Sequence, residues 1–220
     1  MTSKFLPRST YELIGQEAAE QEFINSWKTS RVPHAWLFSG LEGIGKATLS
    51  YRIARFVLSE QNKRETQIDS LFGEQMAEVP ENLFVNRELP HCRLIETGAH
   101  PELRVLEPGW INPKTGRASQ KIVIDQVRES TAVTNLTTNG WRVIIIDPVD
   151  AMTINAANAL LKNLEEPPMQ TLFLLVCHSR GRLLQTIKSR CRQVNLRPLA
   201  TEQVKTFLLM HKMNSPLRIS

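Results

Sequence analysis

Ala35-Trp-Leu-Phe-Ser39, continuing as Gly40-Leu-Glu-Gly43-Ile-Gly45-Lys46-Ala47, is the stretch on which the fold turns. The first five residues follow Pro33 and read as a short apolar strand. The next seven fit the spacing Gly-x4-Gly-Lys. A helix is then expected from about Lys46 to Leu58, with Leu49, Ile53, Phe56 and Val57 at helical spacing. Strand, glycine turn and helix in that order can cradle phosphates. The N–H groups of the turn and of the helix N-terminus point at the anion, and the lysine reaches its outer oxygens. Gly40, Gly43, Gly45 and Lys46 are therefore candidate nucleotide-binding residues.

One position departs from the pattern. A Ser or Thr hydroxyl ordinarily follows the lysine and ligates Mg²⁺, but here Ala47 stands in its place. Thr48, one residue on and about 100° further round the helix, is the nearest hydroxyl and is counted with the cradle although it should point elsewhere. A second apolar run, Val143-Ile-Ile-Ile146, ends in Asp147. It has the character of a strand buried on both faces of a parallel sheet, and Asp147 is the expected metal-side carboxylate. Where a Glu would polarise the attacking water there is Pro148, and Asp150 lies too far along to replace it in position. Losing a positioned base removes on the order of 10²–10⁴ in rate. The site keeps phosphate-binding parts and lacks hydrolytic ones, so ATP or ADP is expected to bind weakly. Taken singly, the glycine turn also reads as a structural turn, and Asp147 as a turn cap.

Further along, strands and helices alternate. Helices are expected over Ile14–Trp27, with Ala18, Phe23 and Trp27 inward, and from Asp125 as cap to about Leu136. Another runs from Thr153 with Ala157, Leu160, Leu161 and Leu164 as one stripe. A helical stretch covers Leu183–Ile187, and a further helix Thr201–His211. Strands are expected over Arg104–Glu107, Ile122–Ile124 and Leu172–Val176. Ser59–Arg93 has mixed charge and weak periodicity, and reads as an insertion with one or two short helices. Pro108–Ser119 is a turn-rich loop. The class is α/β, a mostly parallel sheet flanked by helices.

The 220 residues, 41% of them hydrophobic, are enough for one sizeable core. No stretch approaches the roughly 18 apolar residues of a membrane span, and Met1–Tyr11 lacks the apolar centre of a secretion signal. Cys92, Cys177 and Cys191 are odd in number and widely spaced, as suits reduced thiols in a cytoplasmic protein. The net charge of +5 is unevenly placed. His178–Ser220 holds nine of the 27 Lys and Arg but one of the 22 acids, leaving 18 against 21 elsewhere. That basic fifth is either a solvated face or a surface meeting phosphate or nucleic acid. No aromatic residue interleaves with Arg180 to Arg197 to stack bases. Within it, Lys188-Ser-Arg190-Cys-Arg192 places an arginine at a sheet edge, where it is either solvated or reaches a neighbouring molecule's phosphate.

Together these pieces resemble the clamp-loader branch of the AAA+ ATPases over nearly the whole chain. The matching blocks are Leu13-Ile-Gly-Gln-Glu17, Val32-Pro-His-Ala-Trp-Leu-Phe-Ser39, Gly98-Ala-His-Pro-Glu102 and Ile122-Val-Ile-Asp-Gln-Val-Arg128. The most specific is Asn158-Ala-Leu-Leu-Lys-Asn-Leu-Glu-Glu-Pro-Pro168, followed at the family's spacing by Leu172–Leu175 and Ser189-Arg190-Cys191. The resemblance implies an AAA+ P-loop NTPase core over residues 1–197, then the first part of a helical lid over 198–220, with the collar domain absent from the chain. It also implies a place in the DNA polymerase III holoenzyme beside gamma/tau and delta subunits, loading the sliding clamp on primed DNA in the cytoplasm. No membrane is involved. Motor members of the family carry a hydroxyl after the P-loop lysine and an Asp-Glu pair on the second strand. This chain has Ala47 and Pro148, and Cys177-His178 at the sensor position. It is more similar to the non-motor member, whose own site is degenerate and which keeps the Ser-Arg-Cys arginine. By that resemblance Arg190 is the catalytic residue, acting in trans on a neighbour's ATP. Family members often carry a four-cysteine zinc module after the P-loop helix. Only Cys92 lies between Leu58 and Val143, with His91 beside it, so no zinc is expected. Two other readings stay open: a working ATPase using Lys46, Asp147 and an unrecognised base, and a DNA-binding module built on the basic fifth.

Overall fold

Every residue of strand β1 (Ala35–Ser39) is buried, as a strand covered on both faces by helices must be. A computed structural model describes residues 6–68, 80–113, 115–132, 140–201 and 203–205. In it β1 is flanked by β4 (Thr171–Cys177) and β5 (Arg192–Asn195), and the sheet continues through β3 (Arg142–Ile146) to β2 (Leu103–Leu106). All four strand pairs are parallel, with Ser39 level with Cys177 and Asn195, and Ile146 level with Leu175 and Leu106. The expected α/β class, a parallel sheet flanked by helices, is what the chain forms.

Strand side chains alternate between faces, so the sheet divides two apolar cores. Trp36, Phe38, Val143, Ile145, Leu172 and Leu174 point to one. That side is closed by α1 (Glu17–Lys28), α2 (Lys46–Ile68) and α3 (Pro90–Thr97). Phe23 is its hub, with ring centroids 5.3 Å from Trp36 and 6.4 Å from Phe56. Ala35, Leu37, Ile144, Ile146, Phe173 and Leu175 point to the other core. There α4 (Ile124–Ala132), α5 (Ile154–Glu165) and α6 (Gln185–Lys188) cover the sheet.

Several expectations change in detail. Helix α1 begins at Glu17 rather than Ile14, because Gly15 sits at φ +75° and interrupts the helical path. Its inward residues are Ala19, Phe23, Ile24 and Trp27, whereas Ala18 is exposed. Helix α2 runs on past Leu58 to Ile68, so the insertion starts as a continuation of the P-loop helix. The rest of the insertion ends in α3, whose Cys92 and Ile95 are buried. Ile122–Ile124 is not a strand: Ile122 makes one isolated bridge with Met152, and Ile124 already opens α4. Asp125 therefore lies inside the first turn instead of capping it, and the expected extension to Leu136 lies outside the described residues. Thr153 does cap α5, accepting from the Ala156 N–H at 3.3 Å. The helix stripe is Ala156, Ala157, Leu160 and Leu164, with Leu161 partly exposed. Thr201 and residues 203–205 have helical backbone, and the remainder of the helix expected to His211 lies outside the described residues.

Candidate functional site

Because the strands are parallel, their carboxyl ends share one edge of the sheet, the usual place for ligands in such folds. Three segments meet there. The turn after β1 is the glycine loop, the end of β3 is Asp147, and the end of β4 is Cys177-His178. Gly40 lies at φ +148°, and a Cβ on it would come within 2.7 Å of the Leu196 carbonyl oxygen. No larger residue fits where the loop passes beneath the chain leaving β5. Gly43 and Gly45 also take positive φ, +83° and +95°.

Lys46 is buried at the start of α2. Its ammonium donates to the Gly40 carbonyl at 2.8 Å and to that of Leu41. Burial draws its pKa below the usual lysine value, and the Asp147 carboxylate works against that shift. Burial raises Asp147 above the usual carboxylate range, with His178 the main opposing influence. His178 Nε2 stands 4.0 Å from Asp147 Oδ1, while its buried Nδ1 has no hydrogen-bond partner among the described residues. Asp150, far along for a base in sequence, accepts from the His178 backbone N–H at 2.8 Å. That bond ties the loop after β3 to the end of β4 and engages the carboxylate elsewhere. Burial also pushes the neighbouring Cys177 thiol up to about 11. The structure thus brings Gly40, Gly43, Gly45, Lys46 and Asp147 to one edge. Thr48 sits in the first turn of α2, half-buried, and makes no hydrogen bond to any of them among the described residues.

Other contributors to this edge were not evident from sequence. Gln16 is buried and donates to the Ile44 carbonyl of the loop at 3.2 Å and to that of Arg197 at 2.8 Å. Leu13 packs so close to Gly45 that a Cβ there would lie 2.5 Å from its Cδ1. The segment before α1 therefore lies over the loop. Ser39 Oγ donates to Asn195 Oδ1 at 2.6 Å, and Arg180 donates to the same oxygen at 2.8 Å. The only signal for this arrangement was the block Leu13–Glu17, which carries no chemistry of its own.

Arg190 is at the other end. It precedes β5 by two residues, and Arg192 is level with Trp36 in β1. Four residues of β1 separate that level from Gly40, about 13 Å at roughly 3.3 Å per residue, and Arg190 is farther still. Its Nη2 pairs with Glu165 Oε1 at 2.6 Å, and its Nη1 donates to the Thr186 carbonyl at 3.0 Å. Arg192 pairs with Glu22 at 2.6 Å. The basic fifth is therefore divided between both edges, and two of its arginines already face acids.

Around His91 and Cys92 the geometry favours packing. The Cys92 thiol is buried and donates to the Asn86 carbonyl at 3.4 Å, while His91 Nδ1 lies 3.2 Å from His100 Nε2. Among the described residues no group of three or more His, Cys, Asp or Glu side chains is disposed to hold a metal ion. Nor is any described helix long and apolar enough to cross a membrane.

Residues 15–200 match the family model described as DNA polymerase III, delta subunit. The chain is 37% identical to the DNA polymerase III subunit delta' of Pseudomonas aeruginosa, over 73% of this chain and 42% of that protein. It is 30% identical to the subunit delta' of Escherichia coli, over 86% of this chain and 49% of that one. To the subunit tau of Escherichia coli it is 29% identical, over 93% of this chain and 28% of the relative. The chain spans less than half the length of each of these three.

Proposed function

This chain belongs to the DNA polymerase III delta subunit family, and from that we propose that it is the P-loop core of a clamp-loader subunit of the delta' kind. Its own site holds ATP or ADP weakly through Gly40, Gly43, Gly45 and Lys46, with Asp147 on the metal side and Thr48 as the only nearby hydroxyl of α2's first turn. Its part in catalysis is to present Arg190 to ATP bound by an adjacent gamma/tau motor subunit. Delta is the further partner, and the sliding clamp and primed DNA are met through the complex.

The observation that carries this reading is the separation of Arg190 from Lys46 across the length of β1 and β5. An arginine at the amino edge cannot serve the phosphate loop of its own chain, whereas it is free to meet a second molecule docked against that edge. Arginine suits the task because its planar guanidinium is always charged and can hold two phosphate oxygens together. A trans arginine is worth about 10³–10⁵ where it serves the only site. The effect here is smaller, since other motor sites in an assembly keep their own partners.

The test is a reconstituted clamp loader with Arg190→Ala and Arg190→Lys. Assembly should persist while DNA-stimulated ATP hydrolysis and clamp loading both fall. Wild-type loading by both variants would make Arg190 an ordinary surface residue.

The ATPase reading loses Asp150 as its base, since Asp150 is engaged with His178. A DNA-binding module would need its cations gathered on one face, and Arg180 and Arg190 lie at opposite edges.

A further inference from the structure

The residue that carries Arg190 in place is on a different element. We propose that Glu165, the last residue of α5, is a positioning residue for the trans arginine: it orients the Arg190 guanidinium toward the neighbouring molecule. This rests on the reading of Arg190 given above.

Arg190 has a long side chain with many rotamers, and an arginine that wanders is a poor electrostatic partner for a phosphate. Two contacts hold it here. Thr186, on α6, accepts from Nη1 at 3.0 Å, and the Glu165 carboxylate lies as an ion pair 2.6 Å from Nη2. The anchors come from two elements that both pack on the sheet's second core through Ile187 and Leu164. Their spacing is therefore set by the fold and not by the loop that carries Arg190. A guanidinium has five N–H donors; one donates to the Thr186 carbonyl and Nη2 faces Glu165. Donors remain for a phosphate without releasing either contact.

Exposure argues for orientation rather than locking. The Arg190 and Glu165 side chains are 34% and 48% exposed, so solvent screens their attraction. An exposed pair of this kind is too weak to withhold the arginine from a nucleotide, yet it is enough to bias its rotamer. Backbone geometry strengthens the anchor. The Glu166 N–H is taken by the Lys162 carbonyl, and Leu164 is held through its carbonyl by His34 Nε2 at 3.0 Å, so the end of α5 is pinned to the start of β1. Glu165 thus comes from a fixed helix end, and the adjacent Glu166, exposed as well, serves as the comparison.

The experiment measures DNA-stimulated ATP hydrolysis by the reconstituted assembly. Subunits compared are wild type, Glu165→Ala, Glu165→Gln, Glu166→Ala, Arg190→Ala and the double variant Glu165→Ala/Arg190→Ala. Glu165→Ala should lower kcat roughly two- to fivefold, the scale of one exposed ion pair, with KM for ATP unchanged. Glu165→Gln keeps an acceptor at the same place and should retain most of the rate, and Glu166→Ala should match wild type. In the Arg190→Ala background, Glu165→Ala should have no further effect, which a merely structural role for Glu165 would not produce. In the chain alone, Glu165→Ala should lower the NMR order parameter of the Arg190 Nε–H. If Arg190→Ala is active at the wild-type rate, the trans-arginine reading fails. If Arg190→Ala is impaired while Glu165→Ala matches or exceeds wild type, that reading stands and the role given to Glu165 is overturned.

Discussion

Arg55 is 1% exposed, yet no carboxylate touches it directly among the described residues. Its charge is met by the carbonyls of Thr10 at 3.0 Å and Arg8 at 2.5 Å, and by the Tyr11 ring, whose centroid lies 4.1 Å away. Tyr11 in turn donates to Glu96 at 2.7 Å. The arginine ties the segment that crosses the P-loop to the middle of α2. Arg55→Ala leaves two carbonyls unpaired and a void, and should lower stability by about 3 kcal/mol, measured by urea denaturation. His100 gives a pH-dependent counterpart. Burial, aided by neighbouring His91, lowers its pKa to about 4. The native state therefore holds this imidazole neutral while the unfolded chain protonates it near the ordinary value of about 6.5. The associated stability is complete above that ordinary value and is lost as pH falls toward the folded one, amounting to about 3 kcal/mol in all. Urea midpoints should drop over this window for the wild type, and drop less for His100→Asn. An equal drop in both would assign the loss to other groups. That Gly40–Lys46 and Asp147 would share one edge of the sheet was legible because each follows an apolar strand run in sequence. Arg55 was not, since its partners Arg8, Thr10 and Tyr11 lie more than forty positions away and a lone arginine in a helix reads as solvated.

At the scale of the element, the loop between β1 and α2 makes the sharpest claim. Gly40 and Gly43 both have positive φ, but a Cβ at Gly40 meets the Leu196 oxygen at 2.7 Å while one at Gly43 meets nothing within 4 Å. Gly43→Ala should therefore cost about 1 kcal/mol of backbone strain. Gly40→Ala should cost appreciably more, because backbone must move. Thermal unfolding of the two variants side by side checks this, and equal losses would mean that the approach of Leu196 is unimportant. Element legibility followed the apolar pattern. Strands β1, β3 and β4 were readable as apolar runs. Strand β5 went unread because Val194 alone is buried in Arg192–Asn195, so no alternation exists to see. The continuation of α2 beyond Leu58 was hidden for a related reason. Its later residues, Ser59-Glu-Gln-Asn-Lys-Arg, are polar throughout, and period carries no signal where nothing apolar repeats. Ile122 looked like a strand residue because it is buried, but its pairing is a single bridge.

For the whole molecule, the α/β class followed from the alternation of elements, whereas the order of strands did not. Nothing in a run such as Leu172–Val176 says that it pairs with both β1 and β3. That order brings Lys46, Asp147 and His178 together and carries Arg190 away from them. On the proposed reading, the site so assembled has Pro148 at the position of the base and Ala47 at that of the metal-binding hydroxyl. The purified chain should accordingly show no appreciable ATP turnover. Release of phosphate at the rate of an ordinary AAA+ motor, abolished by Lys46→Ala, would contradict this. Nucleotide binding without turnover, measured by calorimetry, should weaken in Lys46→Ala.

The common direction of the five described strands has one more consequence. A molecule whose strands all run the same way has a head and a tail, and contacts that join head to tail are directional: each member receives from one side and gives to the other. On the proposed reading, this chain is a member of such a row that gives an arginine but has no working catalyst at its receiving end, and it would mark where the series of firing sites stops.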